Sequence, residues 1–188
     1  MRIITGTARG AVLKTLEGET TRPTPSKVKE AIFSSLQFDL EGRQILDLFA
    51  GSGQMGLEAL SRDAARCTFV DADRAAIGIV TDNAKKTKLY PKSNVLCMDW
   101  EQYIRSAAHR GTFDIVFLDP PYAEKLLPRV LCALYDGEMV KGTSILVCED
   151  ERELDVDGDV MLSERYEVIK KAQYGRVHIA YLRPKTEE

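Results

Sequence analysis

Gln44-Ile45-Leu46-Asp47-Leu48-Phe49-Ala50-Gly51-Ser52-Gly53-Gln54-Met55-Gly56 is the stretch from which the rest of the chain can be read. Residues 44–49 are a short apolar run that reads as a buried strand, interrupted only by Asp47. Gly51, Gly53 and Gly56 then fall in a G-x-G-x-x-G spacing, and a helical pattern follows over 54–64. Glycines between a strand and a helix allow a tight turn and let the backbone come close to a ligand. The pattern therefore predicts the first βα unit of an open sheet with a small-molecule site above it.

Outward from this unit the pattern alternates. Strand-like runs cover 44–49, 67–71, 94–98, 114–119 and 144–149, and helix-like segments cover 54–64, 73–88, 100–108 and 123–139. Alternation of this kind implies parallel strands with helices on both faces. The tail departs from it. Tyr166–Lys171 and Val177–Leu182 flank a short Ala172-Gln173-Tyr174-Gly175-Arg176 segment, too short for a crossover, so they predict an antiparallel pair. At the start, Arg2–Thr5 and Ala11–Lys14 between Gly6 and Gly10 read as a small hairpin. A helix begins near Thr24 or Ser26, with Val28, Ala31, Ile32 and Leu36 as its apolar stripe, and stops at Glu41-Gly42-Arg43. The expected fold class is α/β, a mostly parallel seven-stranded Rossmann-like sheet with an antiparallel C-terminal strand. The expected organisation is an extension over 1–42, a main domain over 43–188, and one compact unit.

Acids end the predicted strands. Asp47 precedes the glycine loop, Asp71 ends the second strand 20 residues after Gly51, and Asp99 ends the third, beside Met98 and Trp100. A carboxylate at position 71 can accept ribose hydroxyls; one at 99 can accept from a purine amine. Asp47 could hold a cationic ligand group or the loop itself, and is a poor neighbour for a pyrophosphate. Asp99 could instead cap the helix after it, and Asp73 could either touch the ligand or simply open its own helix. The fourth strand ends in Asp119-Pro120-Pro121-Tyr122. Two prolines fix the backbone rigidly there, which aims one carboxylate, one carbonyl and one ring at a common point. That trio suits a planar group bearing an amine. Four acids and no loop lysine suit a phosphate-free cationic nucleoside; S-adenosylmethionine has that chemistry.

Composition sets the bounds. The chain has 188 residues, 44% hydrophobic and 29% charged, ordinary for one globular domain. No apolar run nears the length of a membrane span, and Met1–Gly6 lacks the apolar core of a signal peptide, so a cytoplasmic location is expected. Cys67, Cys97, Cys132 and Cys148 form no C-x-x-C pair, and the two histidines, His109 and His178, lie far apart; a metal site is not expected. Cys67, Cys97 and Cys148 read as small buried hydrophobes. The net charge of −3 hides an asymmetry, because residues 1–29 carry +4 and the remainder −7. A basic patch on an acidic body is one reading of this.

Met1-Arg2-Ile3-Ile4-Thr5-Gly6, Thr21-Arg22-Pro23-Thr24, Lys29-Glu30-Ala31-Ile32-Phe33, Leu46 through Gly53, Phe113 through Tyr122 and Tyr174-Gly175 together resemble one family, in order and over essentially the whole chain. The chain resembles the bacterial 16S ribosomal RNA guanine-N2 methyltransferases of the RsmD type, which have the class I S-adenosylmethionine-dependent fold. The resemblance implies methyl transfer to the N2 amine of one guanine in 16S rRNA, within the 30S subunit or its precursor, by a monomer that needs no metal or membrane. It implies a catalytic set of Asp119, Pro120 and Tyr122. The implied cofactor-binding set is Asp47, Phe49, Gly51, Ser52, Gly53, Asp71, Ala72, Asp99 and Trp100, and the implied RNA set is Arg9, Arg22, Thr24, Lys27 and Lys29. Two positions depart from the family's pattern. Asp71 stands where Glu is frequent, one methylene shorter, and Lys29 where Arg is common, without the bidentate phosphate contact that Arg makes.

Three other readings compete. The same amine chemistry could act on adenine or cytosine of DNA, although no separate DNA-recognition domain is visible, or on another RNA. An NAD-dependent oxidoreductase would leave Asp47, Asp99 and the DPPY turn without a role. A non-catalytic assembly factor could use the fold as a scaffold.

Overall fold

The computed structural model describes residues 1–16, 26–121 and 125–186. Arg22, Thr24 and Tyr122 lie outside the described residues. Seven strands form one sheet in the order β3-β2-β1-β4-β5-β7-β6, and the chain divides into two compact units, Met1–Met98 and Asp99–Glu188. Among the described residues no helix is long and apolar enough to cross a membrane.

The first unit holds α1 (Ser26–Ser35), β1 (Gln44–Leu48), α2 (Gln54–Ser61), β2 (Arg66–Asp71), α3 (Arg74–Lys86) and β3 (Ser93–Cys97). β1 pairs in parallel with β2, placing Asp47 opposite Phe69, and β2 pairs in parallel with β3. Ile45 to Leu48 are all buried, as a strand covered on both faces requires. β3 is the edge of the sheet, and its residues are half-buried or exposed. That explains Cys97, which is exposed rather than buried as its apolar run suggested.

The N-terminal segment does not form a two-stranded hairpin. Arg2 and Val12 make one isolated antiparallel bridge, supported by Ile3 N–H donating to Ala11 O at 2.9 Å and Leu13 N–H to Met1 O at 2.9 Å. The ladder stops because its donors are taken elsewhere. Ile4 N–H and Thr5 N–H donate to the Glu58 carboxylate of α2, at 2.8 and 3.0 Å. Lys14 N–H donates to Asn83 Oδ1 at 2.8 Å. Ser61 extends the seam, with its hydroxyl donating to Thr5 O at 2.6 Å and accepting from Ala8 N–H at 2.9 Å. Gly6 lies so close to α2 that an added Cβ would overlap the Ser61 carbonyl, so only glycine fits.

Glu58 is fully buried and also faces two cations. Lys29 Nζ lies 3.2 Å from it and donates to Arg2 O at 2.7 Å, and Arg62 Nε lies 2.9 Å away. The Arg62 guanidinium in turn covers the Phe33 ring at 4.9 Å. Lys29 is 1% exposed. It was expected on the RNA-facing surface and is instead an internal tie between α1, α2 and the N-terminal segment. Burial lowers its pKa, and Glu58 opposes that shift.

The second unit holds α4 (Trp100–Ala107), β4 (Phe113–Leu118), α5 (Leu127–Asp136), β5 (Val140–Asp150), α6 (Val160–Arg165), β6 (Tyr166–Tyr174) and β7 (Val177–Pro184). β4 and β5 run parallel, with Leu118 opposite Cys148, while β7 is antiparallel to both β5 and β6. β5 starts at Val140, earlier than expected, and the register shifts between Phe113 and Ile115. The buried Ser144 hydroxyl bridges that irregularity, donating to Phe113 O at 2.6 Å and accepting from Lys141 N–H at 2.9 Å. α6 has no counterpart in the sequence reading. It is a single short helix capped by Asp159, which accepts from Met161 N–H and Leu162 N–H, and its six residues are too few to show a helical period.

Glu58→Gln should leave Lys29 buried without its full counter-charge. The expected loss is about 3–5 kcal/mol in urea denaturation, the range for breaking a buried ion pair from one side. Combining it with Lys29→Met should recover part of that loss, because the two sites are coupled. A loss no larger than that of a surface pair would show Glu58 to be dispensable.

Candidate cofactor loop and DPP turn

β1 ends against β2 in an unusual turn. Phe49 N–H and Ala50 N–H both donate to Val70 O, each at 3.0 Å, and Phe49 takes a left-handed conformation at φ 82°. Non-glycine residues seldom adopt that region, and such strain concentrates at functional sites. The chain then closes with Gly53 N–H on Ala50 O at 2.7 Å, and α2 starts.

Three side chains suspend this loop. Asp47 Oδ2 accepts from Gly56 N–H at 2.8 Å. Asp71 Oδ2 accepts from Gly51 N–H at 2.8 Å, while its Oδ1 accepts from Asp73 N–H at 2.9 Å. Asn83 of α3 donates to Ser52 O at 3.0 Å. Asp47 thus holds the loop, the second of the two roles its position allowed. Gly56 sits directly on β2, where a Cβ would overlap the Phe69 ring and Cys67 Sγ.

Asn83 was not legible as a site residue. It is fully buried, and its one amide ties the loop to the N-terminal segment, donating to Lys14 O at 3.0 Å as well as to Ser52 O, and accepting from Lys14 N–H. A lone Asn in a helix has no sequence signal for this; its burial is the signal.

The loop's donors bear on what kind of ligand it can face. A pyrophosphate-binding glycine loop turns its N–H groups toward the anion. Here Gly51 and Gly56 spend theirs on two side-chain carboxyl groups, so those two donors are not free for a phosphate. A nucleoside carrying hydroxyls and a cation fits better, because each Asp71 oxygen retains a second lone pair for a hydroxyl donor. Ala72 is exposed beside Asp71, and Met98 N–H donates to Asp71 O at 2.9 Å.

The remaining expected residues belong to the second unit. Asp99 caps α4, accepting from Glu101 N–H at 2.8 Å and Gln102 N–H at 3.4 Å through Oδ1. Trp100 is the first residue of that helix, its ring covered by the Arg129 guanidinium at 5.5 Å. Asp119 and Pro120 follow β4 directly; Asp119 is half-buried and Pro120 buried. Of the expected RNA set, Arg9 and Lys27 are exposed.

The family model described as Conserved hypothetical protein 95 matches residues 1–183. The chain belongs to that family, the RsmD-type methyltransferases. Within it, the Bacillus subtilis protein YlbH, provisionally named an rRNA methyltransferase, is 39% identical over 184 residues, covering 96% of this chain and 97% of its own. Ribosomal RNA small subunit methyltransferase D of Haemophilus influenzae is 31% identical over 178 residues, covering 94% and 90%. A solved structure from Escherichia coli, provisionally described as the methyltransferase yhhF, matches with a TM-score of 0.85 at 29% identity, over 100% of this chain and 99% of that one. The family fold is the class I methyltransferase sheet found here.

Asp47 gives this loop a pH signature. Burial pushes its carboxyl up to about 7, with the Gly56 N–H opposing and the Asp71 charge adding to the shift. The folded state therefore binds this proton more tightly than the unfolded chain. The stability Asp47 contributes is complete below the ordinary carboxylate range and is lost as pH rises through about 7. Asp47→Asn keeps an oxygen for Gly56 N–H and removes the titration. In denaturation curves, the variant should gain on the wild type as pH rises from about 4 to about 7 and hold that gain above. A constant difference across this range would show Asp47 ionised throughout.

Proposed function

We propose that this protein uses S-adenosylmethionine to methylate the exocyclic N2 amine of a guanine in small-subunit ribosomal RNA, on the 30S particle or its precursor. The observation that carries this reading is the glycine loop hung from two carboxylates in a chain whose β4 ends in Asp119-Pro120-Pro121. Family membership and the names of its relatives support rRNA as the substrate class.

The cofactor's sulfonium supplies an already activated methyl group. Asp71, at the end of β2, would take the ribose hydroxyls; Phe49, Gly51, Ser52 and Gly53 would also hold the cofactor, and Ala72, Asp99 and Trp100 would recognise its adenine. A guanine amine is a weak nucleophile because its lone pair is delocalised into the ring. Asp119 accepts one of its N–H groups and the Pro120 carbonyl the other, which turns the lone pair toward the methyl group and stabilises the positive charge that develops; as the C–N bond forms and the sulfonium C–S bond breaks to leave a neutral thioether, the amine proton passes to Asp119 or through it to water. Tyr122 stacks on the base once it leaves its helix; such stacking returns about 1–3 kcal/mol against an unstacking cost of a few kcal/mol.

Residues 1–42 serve as the RNA-contacting extension of a monomeric enzyme whose catalytic domain is 43–188. Arg9, Arg22, Thr24 and Lys27 remain its contact set. Lys29 acts indirectly, by holding α1 and the N-terminal segment together.

Methyl transfer from labelled cofactor to small-subunit particles lacking this modification, followed by nuclease digestion and mass spectrometry, should yield N2-methylguanosine. Label on adenine or cytosine instead would sink the guanine assignment. Asp119→Ala should reduce transfer by at least about 100-fold, the scale of losing one transition-state hydrogen bond, with cofactor affinity unchanged by calorimetry. Loss of cofactor binding would reassign Asp119 to the cofactor. Neutralising Arg22 together with Lys27 should raise KM for particles and flatten its dependence on salt. An unchanged slope would move the RNA surface elsewhere.

A further inference from the structure

We propose that a cavity between the N-terminal segment and α1 seats one unpaired nucleotide of the RNA, other than the methylated one. Arg2 and Arg9 hold its phosphate and Glu30 reads its base, guanine above the others; this rests on the reading of the protein as an rRNA methyltransferase. The cavity measures about 390 Å³, within the range of about 300–1,000 Å³ usual for small-molecule sites. Its described lining residues all belong to the first unit, and none belongs to the cofactor or methyl-transfer sets.

The charges of this cavity are uncommitted. Among the described residues, neither guanidinium nor the Glu30 carboxylate has a hydrogen-bond or ion-pair partner, and all three residues are exposed. The neighbouring cations are committed: Lys29 and Arg62 to Glu58, Lys14 to Asp82. The backbone beneath the arginines is fixed. Ile3 N–H donates to Ala11 O and Gly10 N–H to Ile3 O, each at 2.9 Å, which brings Arg2 and Arg9 to the same cavity. Lys29 Nζ donates to Arg2 O at 2.7 Å. A scaffold ordered in advance lowers the ordering cost of binding.

The arrangement suits a nucleotide. Guanidinium forks donate to phosphate oxygens. Helix α1, ten residues long, opens at Ser26 on the cavity wall, where its first N–H groups favour an anion. Glu30 stands one turn further along the same face of α1. Its carboxylate repels a bare anion but accepts from N–H donors, and a base carried beside the phosphate supplies them. Guanine offers N1–H and its N2 amine in parallel to the two carboxylate oxygens. Adenine, cytosine and uracil each offer one donor group flanked by an acceptor. Met1 and Ile4, both half-buried, give the ring an apolar wall. Ser52 Oγ donates to Met1 Sδ at 3.7 Å, so the seat adjoins the loop proposed to hold the cofactor.

Titration with GMP, AMP, CMP and UMP, followed through the NMR methyl signals of Met1 and Ile4, tests the seat without methyl transfer. GMP should bind at least about fivefold tighter than the other three, the lower end for one bidentate base contact. Glu30→Gln should remove that preference, and Arg2→Gln with Arg9→Gln should weaken all four alike. Equal binding of the four by the wild type overturns the role of Glu30. Displacement of GMP by methionine, whose carboxylate and ammonium match the same charges, overturns the nucleotide assignment. In methyl-transfer assays on small-subunit particles, the double arginine variant should raise KM about tenfold and lessen its salt dependence by about one phosphate contact. Affinity for S-adenosylhomocysteine by calorimetry should not change. An unaltered KM assigns the seat to free nucleotides and overturns the RNA occupant. A wild type that binds GMP but methylates no particle sinks the parent reading, and with it the RNA occupant, while the nucleotide seat itself is upheld.

Discussion

Two carboxylates spend the backbone donors of the glycine loop, and most of the first unit is arranged around that constraint. Asp47 takes Gly56 N–H and Asp71 takes Gly51 N–H, each at 2.8 Å. The loop is therefore rigid before any ligand arrives, and it presents acid rather than amide to whatever sits above it. Preorganisation of this kind lowers the ordering cost of binding. It also changes which nucleotides the loop accepts, because a pyrophosphate needs the donors that the acids have taken. The cost is a buried carboxylate whose charge is disfavoured, visible in the raised pKa of Asp47.

Glu58 plays the corresponding part for the N-terminal segment. One buried side chain accepts from two backbone N–H groups and faces two cations. Helix α1, helix α2 and the first residues of the chain are thereby fixed to one another without a strand ladder. Asn83 then connects Lys14 to Ser52 through a single amide. The segment proposed to meet RNA and the loop proposed to hold the cofactor thus share a hydrogen-bonded support, and Arg9 and Lys27 stay exposed on its outside.

The strands and their order of use were largely legible. The apolar run at 44–49, the acids that close successive strands and the short turn at Ala172–Arg176 each carry local patterns that survive folding. Helix α6 was not legible, because six residues cannot display a period, and β5 began earlier than its apolar core suggested. Cys97 misled for a related reason: an apolar run says strand, but not whether that strand is central or at the edge.

The sequence by itself determined the α/β class, the glycine loop, the acids around it and the place of Asp119-Pro120-Pro121 after a strand, because these depend on residue type at short spacing. Only tertiary structure decided the partners of each charge. Lys29 and Lys27 are both lysines at the start of α1; one is buried against Glu58, the other exposed. Asp47 and Asp71 each had several chemically reasonable partners, and the fold brought the loop's own N–H groups to them. Arg2, Arg9 and Glu30 share one cavity only because the N-terminal segment folds back beside α1. The physical reason is the same throughout: propensity and periodicity act over a few residues, whereas a hydrogen bond or ion pair is chosen by whichever group the folded chain places within about 3 Å.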